Sequence, residues 1–268
     1  MSAVQAAPVA IFADLEGDLW GIVTGGPQPR VAVARLTGAD VELRAAELEL
    51  RAAELELRAA EPELRAAEPE LSPDADLNRA DLDLERVWTV TAAGCALRIG
   101  RAAPDSATDG AEAALEPCRV SGSATIDGAE LELDVGGVRA PALSGDGWES
   151  LRLFAAWFGG GHELAVLSSR PKGAKGHDRD SLAAVARGEE QPLVVDPRLS
   201  TTYDTAGVPL RVGLELWLGA DADGELAPRR VAGLATGSRV ARDGLSAHAF
   251  ECVSRGEPGA GIYLLLRA

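Results

Sequence analysis

The stretch Cys118-Arg-Val-Ser-Gly-Ser-Ala-Thr-Ile-Asp-Gly-Ala-Glu-Leu-Glu-Leu-Asp-Val135 decides the fold. At its centre, Asp127-Gly128 is a residue pair suited to a two-residue type I′ turn, whose two central positions both need positive φ. Beyond the turn, Leu131, Leu133 and Val135 alternate with Glu130, Glu132 and Asp134. Alternation with period two describes a strand with one buried face and one wet face. The segment therefore reads as an antiparallel hairpin.

The same pattern recurs on both sides. PVAIFADL (8–15), DLWGIVTG (18–25), RVAVARL (30–36) and VWTVTAAG (87–94) read as early strands. SLRLFAAWF (150–158) and HELAVLSS (162–169) flank Gly159-Gly160-Gly161, a second hairpin signal. LSTTYD (199–204) and VPLRVGLELWL (208–218) are joined around Thr205-Ala206-Gly207, a third. RRVAGLATG, SAHAFECVS and GIYLLLRA complete the set. After residue 90 only DSLAAVAR (180–187) has a helical look. Strands follow strands without alternating helices, so the expected class is mainly β, an antiparallel barrel or sandwich. The Pro/Ala/Asp/Gly stretch 104–117 reads as a linker. It divides a first β unit (1–103) from a second (118–268).

Residues 43–70 interrupt this pattern with four copies of a heptad: LRAAELE twice, then LRAAEPE twice. Its Ala, Leu, Glu and Arg favour a helix over 43–60. Glu47–Arg51, Glu54–Arg58 and Glu61–Arg65 stand at the helix-supporting i,i+4 spacing. Pro62 and Pro69 then break the pattern. The repeat is expected to be an inserted helical or disordered segment, not part of the β body. A partner-binding helix is the alternative reading.

The 268-residue chain carries a net charge of −16. Residues 40–86 hold 15 acids and 6 arginines, or −9, leaving −16 − (−9) = −7 for the rest. That balance argues against nucleic acid as a partner, because phosphate contacts need a basic surface. Cys95, Cys118 and Cys252 show no metal-ligand or CxxC spacing and read as buried reduced thiols. The N-terminus lacks the basic start of a secretory signal, and no apolar run reaches the roughly 20 residues that cross a bilayer. A cytoplasmic protein without integral membrane association is expected.

The chemical motifs have plainer readings. Gly159-Gly160-Gly161-His162 lacks the strand–GxGxxG–helix setting of a dinucleotide loop. Pro171–Asp178, which holds Lys172, Lys175 and His177, is an exposed loop or an anion contact. Asp221-Ala-Asp223-Gly224-Glu225 has the wrong spacing for calcium, and the three histidines do not form a zinc pattern. No cofactor and no metal are expected. Trp20, Trp88, Trp148, Trp157 and Trp217 fall in or beside strands, where they pack a core or line an apolar cavity.

Several of these stretches together resemble a family. Asp18-Leu-Trp-Gly21, Cys118–Gly128, Arg198-Leu-Ser-Thr-Thr-Tyr-Asp204 and Gly213-Leu-Glu-Leu-Trp217 are similar to an uncharacterised group of actinobacterial β proteins. That group is distantly similar to double-lipocalin proteins that include the carotenoid 1,2-hydratases (hydroxyneurosporene synthases). The resemblance spans most of the chain after residue 86 and a patch near residue 20, and it excludes the repeat. It implies two lipocalin-like units and a motif Gly-x-Arg-x-His-x-Trp-Gly after the Asp-Gly hairpin. Gly137, Val138 and Arg139 match its start and Trp148 fits a later Trp. Pro141, Leu143 and Ser144 stand where the His, Trp and Gly would be. A His there moves protons near neutral pH and Pro cannot.

The expected function is therefore non-catalytic binding of a small apolar ligand, lipid- or isoprenoid-like. The cavity-lining candidates are Trp20, Arg139, Trp148, Trp157, Tyr203 and Trp217. One alternative is an isoprenoid-modifying hydratase, which needs a proton donor beside a dry pocket. Asp146, Glu149 and Tyr203 are its candidate donors. The other alternative is an interaction protein that uses the repeat. The catalytic residues and oligomeric state stay open.

Overall fold

The computed structural model describes residues 9–14, 16, 18–25, 29–37, 44–45, 47–52, 86–101, 115–140, 148–175, 180–188, 194–219, 228–242 and 244–267. Among these, nine strands form one antiparallel sheet: β1 (Val9–Asp14), β2 (Leu19–Thr24), β3 (Arg30–Arg35), β4 (Arg44–Ala45), β5 (Glu47–Ala52), β6 (Arg86–Ala92), β7 (Cys95–Arg101), β8 (Glu116–Ile126) and β9 (Ala129–Ala140). Their order is β4-β3-β2-β1-β9-β8-β7-β6-β5. Eight more form a second sheet: β10 (Trp148–Phe158), β11 (Glu163–Pro171), β12 (Ser181–Arg187), β13 (Val194–Tyr203), β14 (Pro209–Leu218), β15 (Pro228–Arg242), β16 (Leu245–Ser254) and β17 (Glu257–Arg267). Its order is β12-β11-β10-β17-β16-β15-β14-β13. The first sheet curls into a half-barrel. The second closes almost fully as its end strands β12 and β13 approach each other, giving a two-unit lipocalin-like fold.

The turn chemistry follows the sequence. Asp127 (φ 52°) and Gly128 (φ 79°) make the β8–β9 hairpin with positive φ at both positions. Arg255 (φ 51°) and Gly256 (φ 84°) repeat the device between β16 and β17. The hairpins at Gly159–Gly161 and around Gly207 also form as read.

Two packed faces explain why some strands read as unbroken apolar runs. In β1 and β2, Val9, Ile11, Ala13, Trp20 and Ile22 meet the other sheet at Leu151, Leu153, Ala155, Ile262 and Leu264. Their alternate residues, Ala10, Phe12, Leu19 and Val23, line the first half-barrel with Trp88, Ile99, Cys118 and Val120. In β10 and β17, Phe154, Ala156, Tyr263 and Leu265 line the second barrel with Val212, Leu214, Leu216 and Phe250. A strand buried on both faces has no wet side to show, so its alternation disappears. Each large apolar side chain buried this way contributes about 1.5–3 kcal/mol.

Three readings are corrected. Glu47–Ala52, expected to be helical, is a strand that pairs with β6, Leu48 opposite Val90 and Leu50 opposite Trp88. An available sheet edge overrides the helix propensity of the heptad; residues 53–70 of the repeat lie outside the described residues. Ser181–Arg187, also expected to be helical, is an edge strand on β11 for the same reason. The strand β7 went unread because CALRIG, with Ile99 its one β-branched residue, carries a weak β signal. The strands β8 and β9 hydrogen-bond into the first sheet, with Val9–Phe12 pairing to Ala140–Gly137. Hydrogen bonding thus groups β1–β9 and β10–β17.

The three cysteines are buried and free, as read. No helix among the described residues is long and apolar enough to cross a membrane.

Candidate binding site

Side chains alternate along a strand, so the face that buries Phe154, Val166 and Tyr263 inside the second barrel also carries every second residue beyond them. The register turns these residues into rows. Val166, Phe154, Tyr263, His248 and Arg239 stand side by side across five strands. One step toward the barrel end comes Ser168, Arg152, Leu265, Ser246 and Ala241. The outermost row is Arg170, Ser150 and Arg267. The lumen therefore grades from an aromatic floor to an arginine rim.

At that rim lies a hollow of about 400 Å³ lined by Glu149, Ser150, Arg152, Arg170, Tyr203, Leu265 and Arg267. A second, of about 430 Å³, shares Leu265 and Arg267 with it and continues past Val208, Arg239, Arg242, Leu245, Ser246 and His248.

The floor is fixed by hydrogen bonds. The Tyr203 and Tyr263 hydroxyls lie 2.7 Å apart, and Thr201 Oγ1 donates to Tyr263 at 3.3 Å. The two rings meet edge to face at 6.5 Å. Burial is the main reason the Tyr263 phenol is held well above its usual range, so it keeps its proton at neutral pH. Arg152 donates to Ser168 Oγ at 2.8 Å and to the Asp180 carboxylate. Arg170 donates to the Ala174 carbonyl at 3.0 Å, while its buried Nε has no hydrogen-bond partner among the described residues.

The residues chosen from sequence are dispersed. Tyr203 reaches the hollow, with Glu149 on its rim. Trp20 instead ties the two sheets together: its indole Nε1 donates to Arg35 O (3.1 Å) and Ser238 Oγ (2.9 Å), and Ser238 Oγ donates to Arg35 O (2.9 Å). Trp157 and Trp148 belong to the inter-sheet core. Trp217 is half-buried, with the Arg198 guanidinium 5.7 Å above its ring. Arg139 lies buried in the other unit, donating to Glu116 Oε2 at 2.9 Å and stacking 5.5 Å over Trp88. Pro141, Leu143, Ser144 and Asp146 lie outside the described residues, as do His177 and residues 221–225.

Sequence reasoning missed Arg152, Arg170, Tyr263 and Arg267. Their signal was present. Each is a polar residue at the parity of the core positions in an otherwise apolar strand, as in Ser150-Leu-Arg152-Leu-Phe154.

A second buried acid stands apart from the hollow. Glu163 lies opposite Trp157 across the β10–β11 hairpin and is 2% exposed. Burial pushes its carboxyl up to about 8, with the Arg187 charge and the Trp157 indole N–H pulling part of the way back.

This architecture is a two-unit lipocalin-like fold, and it has a solved counterpart. The chain is similar to kievitone hydratase from Nectria haematococca, with 9% identity, a TM-score of 0.52, and coverage of 98% of this chain and 89% of that one. At that identity the likeness shows the fold alone. Protein-family models give no match, and no curated protein matches in sequence.

Proposed function

We propose that the second barrel binds one small amphipathic molecule end-on in its mouth. The grading of the lumen carries this reading: Phe154 and Tyr263 below, Leu265 in between, and Ser150, Arg170 and Arg267 at the rim. About 400 Å³ falls in the usual range of small-molecule sites, and Leu265 gives this one an apolar contact among its polar groups. The small lipid- or isoprenoid-like ligand expected from the sequence is here given a polar head, because arginines surround Leu265 in the hollow.

The test is a fluorescence titration with N-phenyl-1-naphthylamine, a neutral apolar probe, against the wild type and Ser150→Trp. The substitution places a bulky ring among the residues of the hollow. Saturable one-site binding that weakens at least about tenfold in the variant supports the reading. Equal binding by both proteins would refute it.

One observation favours a second reading, hydration of a carbon–carbon double bond: the whole-chain fold match to a hydratase. Glu149 and Tyr203 both line the hollow as candidate proton donors. Incubation with kievitone, followed by mass spectrometry for the gain of one water, tests it. No conversion would leave the binding reading in place.

A further inference from the structure

We propose that the polar head of the ligand is an anion, a carboxylate or a phosphate monoester, held between Arg170 and Arg267 at the barrel mouth. This deepens the binding reading and rests on it.

The two arginines flank Ser150 on the neighbouring strands β11 and β17. Their backbones thus stand two strand spacings apart, about 10 Å. Two arginine side chains reach inward across that gap to a single small anion, with the Ser150 hydroxyl between them. A guanidinium presents a planar fork that fits the paired oxygens of a carboxylate or phosphate.

The nearby charges leave these two arginines available. Arg152, one row deeper, is compensated by Asp180 and Ser168. Arg267 forms no ion pair among the described residues. Among the described residues Arg170 hydrogen-bonds only the Ala174 carbonyl, and its buried Nε lacks an acceptor. A buried donor without a partner is costly, and a bound oxyanion would satisfy it. Asp204 is committed to its own loop, accepting the Ala206 and Val208 N–H groups at 2.8 Å each.

The wider pattern agrees. Among the described residues, Arg152, Arg170 and Arg267 line the first hollow with one acid, Glu149. The whole chain carries −16. Clustering positive charge in one cleft of so acidic a protein concentrates the field there and draws anions inward.

The experiment is displacement of N-phenyl-1-naphthylamine by decanoate, decyl phosphate and decanol. It uses the wild type, Arg267→Gln, and the double variant Arg170→Gln/Arg267→Gln. Decanoate or decyl phosphate should displace the probe at least about tenfold more effectively than decanol, and whichever is better names the head group. That advantage over decanol, measured on the same protein, should shrink about ten- to a hundredfold in the double variant. Arg267→Gln alone, at an exposed position, should show part of the loss and serves if the double variant does not fold. Decanol matching the anions in the wild type would overturn the anion assignment yet leave the binding reading intact. So would an anion advantage that survives both substitutions. Failure of the wild type to bind the probe at all would overturn both.

Discussion

Glu163→Gln is expected to stabilise the protein increasingly as pH rises. Glu163 is 2% exposed in the inter-sheet core, and its carboxyl pKa is pushed from 4.5 up to about 8, chiefly by burial. In the unfolded chain the group ionises above its ordinary value, while in the folded protein it stays neutral until about pH 8. Folding therefore retains a proton that unfolding releases. The contribution of Glu163 is fully present below pH 4.5 and declines between pH 4.5 and about 8, at about 1.4 kcal/mol per pH unit. Glutamine is neutral throughout and loses nothing. The two proteins should be nearly equal at pH 4.5, and the variant ahead by roughly 5 kcal/mol at pH 8.5. The other titrating groups are common to both and cancel in the comparison. Urea unfolding at pH 5, 7 and 8.5, followed by circular dichroism, reads the difference. Parallel pH profiles would refute the reasoning. A wild type that gains on the variant as pH rises would also refute it, because it would mean that Glu163 is charged and effectively paired with Arg187.

Further predictions concern the first unit and the barrel floor. Gly122→Ala should cost at least about 2–3 kcal/mol in urea unfolding, since its φ is +131° and a Cβ there would lie 2.1 Å from the Ala96 carbonyl oxygen. Arg139→Met should destabilise by about 2–4 kcal/mol because it strands Glu116, and the double variant Arg139→Met/Glu116→Met should recover much of that loss. Additive losses in that pair would contradict the ion-pair account. Tyr263→Phe should cost about 1–2 kcal/mol, read as a shift in Tm, because it removes the bonds to Tyr203 and Thr201 but keeps the ring packing.

The strand pattern was legible wherever one face stays wet, as in Glu130–Val135, and wherever turn residues are decisive, as at Asp127-Gly128. The role of Glu47–Ala52 and Ser181–Arg187 was not legible, because pairing with an open sheet edge outweighs local helix propensity. The pairing of β9 with β1 was also hidden, because long-range pairing leaves no local signature. Tryptophan was a poor guide to the site. A large ring with one N–H serves a core equally well, as the inter-sheet bonds of Trp20 show. Arginine at inward parity was the better guide. Arg152, Arg170 and Arg267 converge only because three strands lie in register, and a single sequence does not state that register.

The most direct test of the account is a crystal structure of the protein grown with decanoate. The account predicts one molecule in the mouth of the second barrel, its carboxylate within about 3 Å of Arg170 or Arg267 and its chain lying along Leu265 toward Tyr263. A decanoate seated between the two sheets, in the first half-barrel or on the outer surface, with the mouth holding only water, would contradict it.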